Sequence, residues 1–222
     1  TRMVGGLDRW LVDLDELLDE LIVEFAALDG LFGESMTRTP SWRFLELGRR
    51  LERAMYTTAL VQSLLANANC GEAKVLEGLL RVADSLMTYR GRYLAAVHLA
   101  TTLDLLLTDE TNPRALAYQL SALQEHVMGL PRLSSQPGYS SDQRIAMTML
   151  HQIRMTDIDG IYEAYALGNH QPLQTLIHEM SRQLPVLSTA IGLHYLVHAG
   201  PTHQLGRLMP QHQPEQRPKS DE

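Results

Sequence analysis

The chain has 222 residues, of which 45% are hydrophobic, which is enough for one large helical domain or two small ones with an apolar core. Its net charge is −7, and its Lys and Arg residues are spread among acidic neighbours, which argues against the basic surface of a nucleic-acid-binding protein. With one cysteine, Cys70, no signal-peptide pattern and no span of ~18 apolar residues, the sequence predicts a cytoplasmic protein with neither an internal disulfide nor a membrane partner.

The first two predicted helices have the clearest signals in the chain. Apolar residues recur at spacings of three and four from Leu7 to Leu28, which places them on one stripe of a helix. A second helix is predicted to begin at Thr39-Pro40, because Thr39 can cap a helix and Pro40 suits the first helical position. This helix is expected to end near Asn67, before a turn.

Similar patterns and breakers predict five more helices, over residues 72–89, 94–107, 113–128, 143–167 and 173–198. No segment shows the sustained period-two alternation of a strand. The predicted fold class is therefore all-α, a multi-helix bundle of roughly seven helices. Residues 1–206 are predicted to form one helical domain. Residues 207–222, which are rich in Pro, Gln and charge and have no apolar face, are predicted to be a disordered tail.

The second predicted helix has two contrasting faces. The mainly apolar face, predicted to pack in the core, comprises Phe44, Leu47, Leu51, Met55, Thr58, Gln62 and Leu65. The opposite face mixes large apolar and charged residues and comprises Trp42, Leu45, Glu46, Arg49, Glu52, Arg53, Tyr56, Leu60 and Leu64. Two interpretations of these charges stay open. They form either an exposed charged surface or a partly buried network in which Arg49 and Arg53 hold Glu52 ionised.

Two further polar clusters lie near predicted helix ends. The first surrounds Gly91 and comprises Asp84, Tyr89, Arg90, Arg92 and Tyr93. Two arginines beside two tyrosines can hold an anion such as a carboxylate or phosphate, and a capping and packing role is the alternative. The second cluster comprises Asp104, Asp109, Glu110, Asn112 and Arg114. It lies at a helix start, where the helix dipole favours negative charge, and its acids can pair with the arginines of the first cluster.

Neither a metal centre nor a catalytic nucleophile is predicted. His194 and His198 have helical ligand spacing, with His203 beyond them, but a histidine pair of this kind is more often a surface feature. Cys70 has no nearby histidine, and the sequence contains no phosphate-binding loop, nucleophile elbow or zinc-ligand spacing. We therefore expect no metal and no other cofactor.

Three stretches of sequence occur in a distinctive order: ESMTRTPSWRFLELGRRLERA at residues 34–54, DSLMTYRGRY at 84–93 and LDLLLTDETNPRALAYQL at 103–120. Together they resemble the alpha-E family, a bacterial helical family named for a Glu-Arg motif. The resemblance places that motif at Glu52 and Arg53, preceded by Arg49 and Arg50. Family members begin with an earlier helix bearing a first Glu-Arg motif, so the resemblance implies that this chain lacks its N-terminal part.

The resemblance also implies partners. Alpha-E domains are fused to, or encoded beside, circularly permuted ATP-grasp ligases and transglutaminase-like thiol peptidases, which suggests a peptide or amide-bond synthesis system. The leading hypothesis is a non-catalytic helical module that binds or positions a peptide or the ligase. The candidate binding or motif residues are Arg49, Glu52, Arg53, Tyr89, Arg90, Arg92, Asp109, Glu110, Asn112 and Arg114.

Two alternatives accompany this hypothesis. The first is an enzyme that acts on a carboxylate or peptide substrate, with a site built from Glu52, Arg53, Arg90, Arg92 and Asp109. In that enzyme a carboxylate would act as the base, and the arginines would bind an anionic substrate. The second alternative is a purely structural helical domain in which the charged residues only pair with one another.

Overall fold

The computed structural model describes residues 4–65, 71–94, 96–131 and 137–196. Over these ranges the chain is all-α, without a strand, as predicted. The helices are α1 (Val4–Ser35), α2 (Pro40–Leu65), α3 (Ala73–Val82), α4 (Leu86–Tyr93), α5 (Leu99–Leu103), α6 (Leu116–Met128), α7 (Ser141–Arg154), α8 (Ile158–Ala166) and α9 (Gln171–Ile191). A π-helical turn, Asp104–Thr108, follows α5, and another, Gly192–Leu196, follows α9. The described ranges thus contain nine α-helices instead of roughly seven, because two predicted helices are each divided.

The predicted helix over residues 72–89 is divided at Asp84, which lies in the left-handed region with φ 48°. The Ser85 N–H donates to the Leu80 carbonyl (2.8 Å), and the Asp84 N–H donates to the Arg81 carbonyl (3.0 Å). These two hydrogen bonds form a Schellman cap, which satisfies carbonyls at the end of α3. Aspartate tolerates the left-handed region better than most residues. The chain can therefore stop one helix here and start α4 without a glycine.

The predicted helix over residues 143–167 is divided after Arg154. The second part, α8, has its own N-cap, because the Asp157 carboxylate accepts a hydrogen bond from the Gly160 N–H at 3.0 Å. Aspartate is among the most effective N-cap residues, since its oxygen satisfies an N–H that has no partner within the helix. This cap makes α8 a separate helix.

The predicted helix over residues 94–107 begins late, at Leu99, because the buried side chain of Tyr89 holds the segment before it. The Tyr89 hydroxyl accepts from the His98 N–H (3.1 Å) and donates towards the Ala96 carbonyl (3.1 Å). A side chain has therefore replaced the intrahelical partners of these backbone groups. Tyr89 is 0% exposed, and its hydroxyl holds the connection between α4 and α5.

The core lies where α2 packs against α6 and α9, with α7 against both α6 and α9. The α2 side chains buried in this core are Leu47, Leu51, Ala54, Thr57, Thr58, Val61 and Leu64. The predicted faces were wrong at Met55 and Gln62, which are exposed, and at Leu64, which is buried, because the buried stripe is rotated towards Ala54 and Val61. Helix wheels locate the apolar face only approximately when small or polar residues such as Ala54 and Thr58 pack against neighbouring helices.

No helix within the described ranges is both long enough and apolar enough to cross a membrane. Cys70 and the predicted tail at residues 207–222 lie outside the described residues.

Leu94 ends α4 in the left-handed region, with φ 46° and ψ 21°, and its side chain is 87% exposed. A bulky residue in this conformation costs roughly 1–2 kcal/mol, whereas glycine adopts it freely but loses about 0.5–1 kcal/mol of unfolded-chain entropy. Leu94→Gly should therefore raise the free energy of unfolding by about 0.5–1 kcal/mol, measured by urea denaturation.

Leu167 provides the matched control, because it also follows a helix and is 87% exposed, but its φ is −87°. Leu167→Gly should leave the free energy of unfolding unchanged or lower it by up to about 1 kcal/mol. A stabilisation by Leu167→Gly as large as that by Leu94→Gly would contradict the backbone explanation.

Candidate functional site

The buried acid of α2 is Glu46, which contacts two arginines on the same helix. Its Oε1 accepts from Arg49 Nη1 and its Oε2 from Arg50 Nη2, each at 2.9 Å. Burial by itself would raise the pKa of Glu46, but Arg50 and Arg49 together hold the pKa below its usual value. Glu46 is therefore an ionised, buried carboxylate, and each of its two oxygens accepts a hydrogen bond from an arginine.

The expected network around Glu52 is not observed. Glu52 and Arg53 are both exposed, and neither makes an ion pair with any residue that the structure describes. Arg49 instead reaches across to α1, where it pairs with Asp29 at 2.6 Å. Of the two interpretations of the α2 charges, the buried network holds for Glu46, and the exposed surface holds for Glu52 and Arg53.

Aromatic contacts enclose the Glu46 network. The rings of Trp42 and His126 meet edge to face with centroids 5.2 Å apart, and the Arg50 guanidinium lies 5.7 Å from the Tyr118 ring. Burial lowers the pKa of His126, although the nearby Glu46 carboxylate offsets part of this effect. The network thus joins α2 to α6 through side chains that only partly contact solvent.

Side chains of α2, of the end of α3 and of the loop before α6 line a cleft further along α2. The cleft has a volume of about 70 Å³. Its lining residues are Arg53, Tyr56, Thr57, Leu60, Val82, Ala83, Asp84, Pro113 and Arg114. Arg114 Nη2 donates to Asp84 Oδ2 at 2.7 Å, and Thr57 Oγ1 donates to the Arg114 carbonyl at 3.0 Å. The cleft therefore brings together two candidate residues, Arg53 and Arg114, of which Arg53 is not neutralised by a described carboxylate.

Asn112 is buried and organises the loop that carries Arg114. Its Nδ2 donates to the Leu105 carbonyl in the π-helical turn (3.0 Å), and its Oδ1 accepts from the Arg114 N–H (3.1 Å). Asn112 thus positions one wall of the cleft from inside the protein.

The remaining candidate arginines pair away from the cleft. Arg92 donates to Asp109 and, at 2.8 Å, to Thr111. Burial would raise the pKa of Asp109, but hydrogen bonds from Thr111 and Arg92 hold the pKa below its usual value. Arg90 pairs with Glu77 at 2.9 Å, a carboxylate that Arg81 shares.

Glu110 forms a bidentate salt bridge with Arg154, whose Nε and Nη2 lie 2.6 and 2.8 Å from the two carboxylate oxygens. These hydrogen bonds lower the pKa of Glu110. Because Arg154 ends α7, the pair ties the loop before α6 to the end of α7.

The five residues of the predicted enzyme site therefore do not form a single cluster of contacts among the described residues. Glu52 is exposed, Arg53 lines the cleft, Arg90 pairs with Glu77, and Arg92 pairs with Asp109. Among the described contacts, Glu52 is not brought together with Arg90, Arg92 or Asp109.

One histidine of the pair with metal-ligand spacing, His194, contacts a buried carboxylate. His194 Nδ1 lies 2.9 Å from Oδ1 of Asp142, which is fully buried. His198 and His203 lie outside the described residues. Within the described part of the chain, no three His, Cys, Asp or Glu side chains are grouped as metal ligands.

Sequence reasoning missed several partners that complete these pairs, namely Glu46 as the central acid, Glu77, Asp142 and Arg154. Glu46 had a readable signal, because it lies three and four residues before Arg49 and Arg50. The pair of Glu110 and Arg154 had none, since 44 residues separate them.

Comparisons with known proteins agree with the helical architecture. The Alpha-E family model, described as a predicted alpha-helical domain with a conserved ER motif, matches residues 3–196. Uncharacterized proteins from Mycobacterium bovis and Mycobacterium tuberculosis are each 31% identical over 179 residues, which is 78% of this chain and 20% of the relative. The chain thus spans about a fifth of the length of these curated relatives. No solved structure matches the chain significantly.

The same substitution at two glutamates separates the buried acid from the exposed one. Glu46→Gln should lower the free energy of unfolding by about 2 kcal/mol, which is less than the roughly 3–5 kcal/mol for breaking a fully buried pair. Glu52→Gln should change it by less than about 0.5 kcal/mol, because Glu52 is exposed. Urea denaturation at neutral pH measures both values.

The effect of Glu46 should also depend on pH. Since its folded pKa lies below the usual 4.5, its stabilisation is present at neutral pH and is lost as the pH falls through the folded pKa. The difference between wild type and Glu46→Gln should therefore shrink in acid. A larger loss for Glu52→Gln than for Glu46→Gln would overturn the assignment of Glu46 as the central acid.

A second pair of variants tests the loop. Asn112→Ala should lower the free energy of unfolding by about 2 kcal/mol, since it deprives a buried carbonyl and N–H of their partner. Asn169→Ala, which removes an exposed hydrogen bond to the Gln171 N–H, should cost less than about 1 kcal/mol. Equal costs measured in urea would show that Asn112 does not organise the loop.

Proposed function

This chain belongs to the Alpha-E family, and we propose that it is a non-catalytic binding and scaffolding module of an ATP-grasp-dependent peptide or amide-bond synthesis system. In this proposal it holds a circularly permuted ATP-grasp ligase, fused to it or separate, and presents a peptide or the ligase for reaction. A transglutaminase-like peptidase of the same system is a further partner.

The observation that carries the proposal is the exposure of the Glu-Arg pair, Glu52 and Arg53. The dipeptide occurs once in the chain, and both side chains face solvent without a described ion-pair partner. The ion pairs that would be expected of a structural glutamate are instead made by Glu46, six residues earlier on α2. Glu52 and Arg53 are therefore free to contact another molecule.

The side chains that line the cleft beside Arg53 indicate which chemical groups a partner would present there. Arg53 and Tyr56 offer a guanidinium and a phenol at its rim, and Leu60 adds an apolar wall. A guanidinium binds a carboxylate through two parallel hydrogen bonds, which makes an acidic side chain or a peptide carboxylate the favoured occupant. A protein or peptide segment with an acidic residue next to an apolar one fits this arrangement.

The purely structural alternative describes other charged residues well. Arg90, Arg92, Glu110 and Arg154 have partners within the fold, and their role is to hold loops and helix ends. It does not account for Glu52 and Arg53. No observation favours the enzyme alternative, because Arg90 pairs with Glu77 and Arg92 with Asp109, and neither arginine pairs with Glu52.

The direct test uses this chain and the purified circularly permuted ATP-grasp protein from the same genome. Titration calorimetry should give a dissociation constant of about 10 μM or tighter. Arg53→Glu should weaken the complex at least ~10-fold, since it places a negative charge where the partner presents one.

Arg144 provides the matched control. It is an exposed arginine on α7 without a described ion pair, so Arg144→Glu makes the same change of charge away from the cleft. This variant should bind the ligase as wild type does. Absence of any complex at ~100 μM, or equal weakening by both variants, would sink the proposed role of Arg53.

A further inference from the structure

The helix α1 exposes an unusual amount of apolar surface. Its 32 residues extend about 48 Å, and its described contacts with α2 involve only its C-terminal part, where Asp29 and Phe32 meet Arg49. Its exposed large apolar side chains are Trp10, Val12, Leu17, Leu18, Ile22, Val23, Phe25, Leu28, Leu31 and Phe32. A monomeric protein seldom leaves such a continuous apolar surface uncovered.

Most of these side chains form one stripe with a seven-residue repeat. The α1 stripe comprises Trp10, Leu14, Leu17, Leu18, Leu21, Phe25, Leu28, Leu31 and Phe32. Leu14, Leu21 and Leu28 are spaced by seven, and the others lie three or four residues after one of these positions or, for Trp10, four before Leu14. This is the spacing with which a helix packs along a second helix.

Carboxylates line both edges of the α1 stripe. Asp13, Glu20 and Glu34 follow one edge, Asp15 and Asp29 follow the other, where Asp29 already pairs with Arg49, and Glu24 stands within the stripe. From residue 12 to residue 35 the helix has eight acidic residues and no Lys or Arg. The surface is therefore apolar along its centre and negative along its edges.

We propose that the α1 stripe is the docking site for a basic amphipathic helix, one with an apolar stripe bordered by lysines or arginines, from another protein. Apolar packing along the centre and ion pairs along both edges then form together, as in heterodimeric coiled coils. Docking also supplies tertiary packing that most of α1 lacks among the residues that the structure describes, since helices gain most of their stability from packing of an amphipathic face.

Charge distinguishes this partner from two others. A second copy of α1 would place acidic edges beside acidic edges, with no Lys or Arg between residues 12 and 35 of either helix to relieve the repulsion. An anionic lipid surface would be repelled by the same carboxylates. The basic helix is the occupant whose charge complements the stripe.

The test uses the full chain and two synthetic peptides of about 24 residues, each with leucine at its a and d positions. One peptide has lysine at the flanking e and g positions, and the other has glutamate there. Titration calorimetry should show the lysine peptide binding at least ~10-fold more tightly, and this preference should shrink as NaCl rises from ~50 to ~300 mM. Circular dichroism should show added helix in the complex.

Two variants locate the binding site on α1. Phe25 is 65% exposed on the stripe, and Val23 is 68% exposed on the opposite face. Phe25→Gln should weaken binding of the lysine peptide at least ~10-fold, whereas Val23→Gln should change it by less than ~2-fold. Neither side chain is in the core, so both variants should keep the wild-type melting temperature.

Three results would overturn the inference. The first is equal binding of the two peptides or no binding of either. The second is a dimer of the chain alone that Phe25→Gln dissociates, because a second copy would then cover the stripe. The third is binding to phosphatidylcholine–phosphatidylglycerol vesicles that Phe25→Gln abolishes. The inference goes beyond the proposed function and is independent of the cleft, so Arg53→Glu should leave peptide binding unchanged.

Discussion

A buried carboxylate needs compensation for the water it loses, and in this fold two arginines on one helix provide it for Glu46. Satisfying Glu46 in this way fixes the side chains of Arg49 and Arg50 on one side of α2. Arg50 then lies near the Tyr118 ring of α6, and Arg49 reaches Asp29 of α1. One intrahelical network thus orients the helices on either side of α2.

The loops show how side chains replace regular backbone hydrogen bonds in an all-helical fold. Tyr89 holds the segment before α5, Asn112 binds a carbonyl of the π-helical turn, and Asp157 starts α8. Each provides a partner where the helix ladder ends, so the chain can turn without leaving buried polar groups unpaired. This is why several residues of the predicted polar clusters have hydrogen-bond partners within the fold.

Sequence periodicity predicted the all-helical class and the long helices α1 and α2, because those signals lie within one element. It missed the breaks at Asp84 and Arg154, which depend on a left-handed aspartate and on a cap that compete with an otherwise continuous helical pattern. In the candidate site it left an exposed surface and a buried network open along α2, and it centred the network on Glu52, whereas the structure centres it on Glu46. Equal spacing allows both pairings, and only the packing of α6 decides which glutamate is buried.

The division between Glu46 and Glu52 has a consequence for how α2 meets other molecules. A carboxylate bound by two arginines is already satisfied and gains little from a new partner, whereas an exposed pair such as Glu52 and Arg53 is free to form new hydrogen bonds. The apolar stripe of α1 lies beyond the same network, joined to α2 through Arg49. Glu46 and its two arginines therefore lie between two exposed surfaces. One surface carries the charges of Glu52 and Arg53, and the other is the apolar α1 stripe. Substitutions in either surface should leave the ion pairs of Glu46, and the helix packing that they support, unchanged.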